Sequence, residues 1–341
     1  MHHRKRSPDA VRKAVFWLLA VLLPLLIAVS AGLGRYPIGL REVCGILVSR
    51  IIPLSPFWTA TQESLLLLSR LPRILLACLV GCSLSAAGTA YQGVFQNPMA
   101  APDLLGASSG AAFGAALAIL LGLGNSLVIL FAFAGGLLTV ALVLFMGSRT
   151  GSRTLGLILA GIMVSSLASA GTSLLKLAAD PQNQLPAITY WLMGSLNSAE
   201  PKALAMAALA MLPGLVVLML LRWRISVLTL GDDEARTLGV PAGRVRVAVI
   251  LASTLVTAAS VAVSGLIGWV GLVIPHLARR LVGNDCRALL PASMLLGAIF
   301  LLAADDVSRT LFAAEIPIGI LTALIGAPFF LYLIAKDGEV L

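Results

Sequence analysis

The chain has 341 residues, of which 59% are hydrophobic and only 11% charged, and a net charge of +9. A soluble domain is about a quarter charged, so the composition excludes a water-soluble enzyme and places most of the chain in lipid or against itself. The positive charge does not point to nucleic acid. The basic residues are scattered in short loops without aromatic interleaving, and they read as orientation signals and contacts with anionic membrane lipid.

Residues 1–13 form a tail in which Arg4-Lys5-Arg6 precede an apolar stretch starting near Ala14. That outline matches a signal peptide with a cleavage point near Ala31. Because many apolar runs follow, an uncleaved first span is expected. Spans are predicted near 14–34, 71–93, 103–122, 126–147, 154–176, 203–222, 245–264, 266–283, 288–308 and 316–335. Each can cross a hydrocarbon core of roughly 30 Å, and each must be helical because lipid offers the backbone no hydrogen bonds. The expected fold class is therefore all-α: a polytopic membrane protein of about ten transmembrane helices forming one domain over 14–341. Placing both termini in the cytoplasm puts 16 of the 24 Lys and Arg on the inside, as the positive-inside rule requires.

Close packing between helices in lipid needs small residues at helical spacing. Gly106, Gly110 and Gly114 supply them in the third span. Gly161, Ser165 and Ser169 form a small, partly polar face in the fifth, suited either to packing or to lining a path. The stretch Leu185–Glu200, with Trp191 and Gly194, is expected to lie on the outer membrane surface. Between the sixth and seventh spans, a cytoplasmic segment near 226–244 contains Gly231-Asp232-Asp233-Glu234-Ala235-Arg236-Thr237-Leu238-Gly239. Its acidic start and glycine end specify a short helix that a soluble motor could grip.

Groups for catalysis are missing from the sequence. There is no Gly-x-x-x-x-Gly-Lys-Ser/Thr phosphate loop and no His-Glu-x-x-His. Of three histidines, His2 and His3 fall in the tail, and His276 follows Pro275 in the eighth span, where a hydrogen bond across helices is the expected role. Cys44, Cys78, Cys82 and Cys286 lack metal or redox spacing. No catalytic residue, metal site or bound cofactor is expected. An ion-coupled carrier usually holds ionisable residues at mid-membrane. Here Asp305, Asp306, Arg309 and Glu315 gather at the outer ends of the last two spans, and Lys176 at the outer end of the fifth. The energy source is therefore expected on a partner. A self-sufficient secondary transporter is the alternative, and a membrane scaffold without transport a further one.

Seven motifs in order carry a resemblance: Arg70-Leu71-Pro72-Arg73; Gln92 to Ala100 with Pro102 to Gly106; Leu159-Ala160-Gly161; Tyr190 to Gly194; Gly231 to Gly239; Gly268 to His276; and Pro317-Ile318-Gly319 with Gly326-Ala327-Pro328. Over about 70–336 the chain resembles the FecCD family of importer permeases, whose members carry ferric siderophores, haem and vitamin B12. The resemblance implies a homodimer of ten-helix subunits in the plasma or inner membrane, two cytosolic ATPase subunits that use the ATP, and an extracytoplasmic binding protein. It implies that Arg70, Arg73 and Arg309 dock acidic residues of the binding protein. It implies that Gly231, Glu234, Ala235, Leu238 and Gly239 belong to the helix coupled to the ATPase, and that Gly161, Ser165 and Ser169 line the translocation path. Arg309 could instead pair only with Asp305 or Asp306 on its own helix. The cargo expected first is a ferric siderophore, ahead of haem and cobalamin, with an oxyanion such as molybdate left open.

Overall fold

The computed structural model describes residues 8–34, 36–147, 149, 153–311 and 314–337; the basic run Arg4 to Arg6, with His2 and His3, lies outside them. Helices make up all regular structure among the described residues. Ten of them correspond to the ten expected spans: α1 (Pro8–Gly32), α4 (Leu71–Val94), α5 (Ala107–Leu120), α6 (Asn125–Gly147), α7 (Arg153–Ala178), α9 (Pro201–Leu228), α11 (Ala242–Ser264), α12 (Val270–Val282), α13 (Cys286–Thr310) and α14 (Ile318–Asp337). Between them lie the shorter α2 (Leu40–Ser49), α3 (Ala60–Ser64), α8 (Gln184–Leu192) and α10 (Asp232–Thr237). α1 begins at Pro8, inside the expected tail.

The centre of the bundle is α4, packed against α13, α11, α9 and α12. Glycine makes these approaches possible. A Cβ at Gly88 would lie 1.8 Å from the Gly271 carbonyl oxygen of α12, and one at Gly81 would lie 2.2 Å from that of Gly297 on α13. Backbones this close gain dispersion and weak C–H to oxygen contacts, which drive association where lipid removes the hydrophobic incentive. α11 is almost wholly buried along one face, from Val245 through Val261, against α4, α6 and α9.

Two expected spans require correction. The third, 103–122, is a helix only from Ala107, because Pro102–Leu105 form a tight turn and Gly106 takes φ +78°. The eighth, 266–283, is a helix only from Val270, because Gly265 and Trp269 both have positive φ. At 14 and 13 residues, α5 and α12 rise about 20 Å each, too little to cross the core alone. Both start beside the middle of a long helix. Gly136 of α6 lies against the Ala107 carbonyl, and Gly271 lies against that of Leu84 in α4. Continuous hydropathy hides such breaks. Non-helical backbone is tolerated at that depth only inside protein or along a cavity.

The segment 185–200 is anchored to the bundle: Ile188 is buried, Gln184 Nε2 donates to the Leu120 carbonyl at 2.9 Å, and Ser195 N donates to the Ser264 carbonyl at 2.7 Å. Gly194 and Gly265, both at positive φ, pack on each other's strands of chain, so α8 caps the ends of α5 and α11.

Candidate docking, coupling and translocation sites

The three predicted docking arginines come together around the C-terminal end of α1. Arg70 ends a wide helical turn, Leu65–Arg70, that extends α4 backward toward α3. It is buried and donates to the carbonyls of Ala31 at 2.8 Å, Gly32 at 3.2 Å and Tyr36. Arg309 donates to the carbonyls of Ser30 at 2.9 Å and Leu33 at 3.0 Å, and pairs with Asp306. Carbonyls at a helix C-terminus have no partners within the helix and carry partial negative charge, so two guanidiniums cap α1 and tie it to α4 and α13. Arg73 lays its fork on Asp305, with Nη2 at 2.8 Å and Nε at 3.0 Å, while Nη1 donates to Glu315 and Asn197, both at 2.9 Å. The Asp305 side chain is fully buried and that of Arg73 is 12% exposed.

Arg70, Arg73 and Arg309 thus line one pocket of about 230 Å³ with Gly34, Tyr36 and Glu315. Each already has partners within the chain, including the Asp305 and Asp306 pairs of Arg309 at i−4 and i−3. A docking carboxylate would join an existing network instead of meeting free charge.

At the opposite end, α10 is held by Arg246 of α11, whose guanidinium forks onto Asp232 at 2.7 and 3.2 Å. Three acidic residues occupy its first turn, where the helix dipole favours them. Gly231, at φ +126°, and Gly239, at φ +75°, set its ends. Of the five predicted coupling residues, Ala235 is fully buried against the α9 and α11 core, Gly231 is half-buried, and Glu234, Leu238 and Gly239 are exposed. α10 therefore presents an exposed ridge on a rigid base. Beside it runs a groove of about 590 Å³ lined by Arg236, Pro241, Arg244 and Val247. The preceding turn is fixed by Gln96, whose Nε2 caps α9 through the Leu228 carbonyl at 2.7 Å, while Gln92 of α4 accepts from Arg279 of α12 at 2.9 Å.

The predicted path face of α7 divides. A Cβ at Gly161 would meet the Leu104 carbonyl at 2.4 Å, and Ser165 Oγ lies against Gly106, so these two pack the turn before α5. Ser169 is exposed and lines a pocket of about 400 Å³ together with Asp103, Ser108, Ser109, Thr172, Ser173 and Lys176. Ser108 Oγ donates to Asp103. This pocket sits where α5 starts within the bundle, and Gly268, just before α12, also lines it. Sequence reading missed Asp103, Ser108, Ser173 and Lys176 as members of this site. The i, i+4 series of Gly161, Ser165 and Ser169 continues to Ser173, which was the available signal. Among the described residues no group of three or more His, Cys, Asp or Glu could hold a metal ion.

These features define a class: a polytopic permease with a network of charges at one end, a short exposed helix at the other, and broken helices beside a polar pocket. Residues 22–336 match the FecCD transport family, and the chain belongs to that family. It is 42% identical over 336 residues to the molybdate import system permease protein MolB of Haemophilus influenzae, covering 97% of each chain. It is 40% identical to the hemin transport system permease protein HmuU of Yersinia pestis, covering 94% of this chain and 95% of that one. A solved structure of a metal-chelate type ABC transporter in an inward-facing conformation superposes with a TM-score of 0.86 at 40% identity, over 95% of this chain and 99% of that one. The chain is accordingly a multi-pass membrane protein of a family of ABC importer permeases.

Proposed function

We propose that two copies of this chain form the membrane path of an importer for a metal chelate, with a ferric siderophore as the first candidate, delivered by an extracytoplasmic binding protein and driven by two cytosolic ATPase subunits. The observation that carries this reading is the pairing of α10, exposed on a fixed base, with a polar pocket at the other end of broken helices. Movement imposed on α10 passes through Ala235 and the Asp232–Arg246 pair into α9 and α11, which pack against α4. The exposed ridge of α10 then faces the cytoplasm, and the Arg70, Arg73 and Arg309 cluster faces the binding protein, where its charge steers docking. The similarity to haem and metal-chelate transporters supports a chelate.

One observation favours a second reading, a small oxyanion. Lys176 and the hydroxyls of Ser108, Ser109, Ser169, Thr172 and Ser173 share one pocket, and a full-length relative is named for molybdate. Uptake by cells expressing this chain with its ATPase and binding protein, measured for a ferric siderophore panel, haem, cobalamin and molybdate, separates the two. The chelate reading expects ATP-dependent uptake of one chelate and none of molybdate; uptake of molybdate alone overturns it. In the oxyanion case Lys176→Glu should cut uptake roughly thirtyfold, because reversing one charge in a wet site alters the interaction by about 2 kcal/mol. For a neutral chelate the same variant should change uptake little.

A further inference from the structure

Between α1, α4, α9 and α13 lies a groove of about 790 Å³, remote from the polar pocket and from α10. Its walls are apolar, with Leu23, Leu79, Cys82, Leu215, Met219 and Met294 among them, and Arg222 closes one end. That end is the one nearest α10: Arg222 is near the C-terminus of α9, Phe16 near the start of α1, and Pro291 near the start of α13. The groove runs along α9 from Leu212 to Arg222, a rise of about 15 Å, and continues along α4 to Leu75. Trp17 and Trp223, next to Phe16 and Arg222, are 65% and 48% exposed, as residues of an interfacial belt are. Arg222 forms neither a hydrogen bond nor an ion pair with the described residues.

We propose that this groove binds one anionic phospholipid of the leaflet on the α10 side, its acyl chains lying along Leu215, Met219 and Met294 and its phosphate on Arg222. The apolar walls, Leu215, Met219 and Met294 among them, select acyl chains. The charge selects an anionic headgroup. Arginine at the interface attracts anionic lipid by about 1 kcal/mol per residue and can fork onto phosphate oxygens. Such a lipid would fill space between α1, α4, α9 and α13 without touching cargo.

The test uses the full-length chain in nanodiscs containing equal phosphatidylglycerol and phosphatidylcholine, extracted into mild detergent and weighed by native mass spectrometry. The wild type should retain one phosphatidylglycerol per chain. Arg222→Glu should lower the ratio of retained phosphatidylglycerol to phosphatidylcholine about fivefold or more, and Leu215→Trp, which fills the groove, should displace both. Melting curves identify a variant that fails to fold. Should Leu215→Trp be one, Arg222→Glu, a substitution at the interface, still decides. Equal enrichment in wild type and Arg222→Glu, or a wild type that keeps no lipid, overturns the proposal. So does loss of self-association, in place of lipid, in Leu215→Trp.

Discussion

Arg73→Ala is expected to destabilise the permease by about 3–5 kcal/mol, the cost of stranding a buried carboxylate. Asp305 is fully buried and receives both arms of the Arg73 fork, and its other cation, Arg309 Nε, is 3.7 Å away. Asp305→Ala should cost less, because Arg73 keeps Glu315 and Asn197 at 2.9 Å and retains some access to water. The double variant should recover part of the Arg73→Ala loss, since no buried charge is then left alone. Thermal melts of purified protein measure the order: Arg73→Ala lowest, the double variant above it. A wild-type melting temperature for Arg73→Ala would show that the fork adds nothing. The same hierarchy affects any docking experiment. Loss of uptake in Arg73→Ala has to be separated from loss of folded permease, and binding-protein affinity on stability-matched variants achieves that.

Ala235→Glu is expected to uncouple hydrolysis from transport. Ala235 is fully buried under α10, in contact with the α9 and α11 core. A carboxylate there competes with Asp232 for Arg246, and burying it unpaired costs several kcal/mol. The helix should lift from its base while its exposed ridge remains. In proteoliposomes holding the ATPase and binding protein, ATP-driven uptake should fall at least roughly a hundredfold, equivalent to about 2.8 kcal/mol of lost coupling, with ATP hydrolysis retained. Glu234→Ala, on the exposed side, should instead weaken ATPase association. Equal uptake by Ala235→Glu and wild type would remove α10 from the transmission path.

Much of this architecture was legible in the sequence because lipid imposes a strict rule on the backbone. Ten apolar runs became ten helices, and seven of these are long and apolar enough to cross a membrane. The failures occurred where hydropathy and helicity part. Gly106 and Trp269 interrupt runs whose apolar character continues unbroken, so α5 and α12 begin inside the bundle, a property of φ and not of polarity. The site was legible in position but not in partnership. Arg70, Arg73 and Arg309 were expected at the outer end, and they are together, but nothing in their spacing revealed that Arg70 and Arg309 cap α1 or that Arg73 holds Asp305 from 232 residues away. The α7 face was half legible: helical spacing groups Gly161, Ser165 and Ser169, and only the turn at Leu104 to Gly106 decides that the first two pack while the third faces open space.

On the proposed function this chain forms a path whose movement is powered from outside it. The most direct test is cargo uptake into proteoliposomes containing this chain with its ATPase and binding protein, with ATP, with a non-hydrolysable analogue, and with the chain alone under an imposed proton or sodium gradient. Uptake that needs ATP and all three components is the predicted result, and gradient-driven uptake by the chain alone would contradict it.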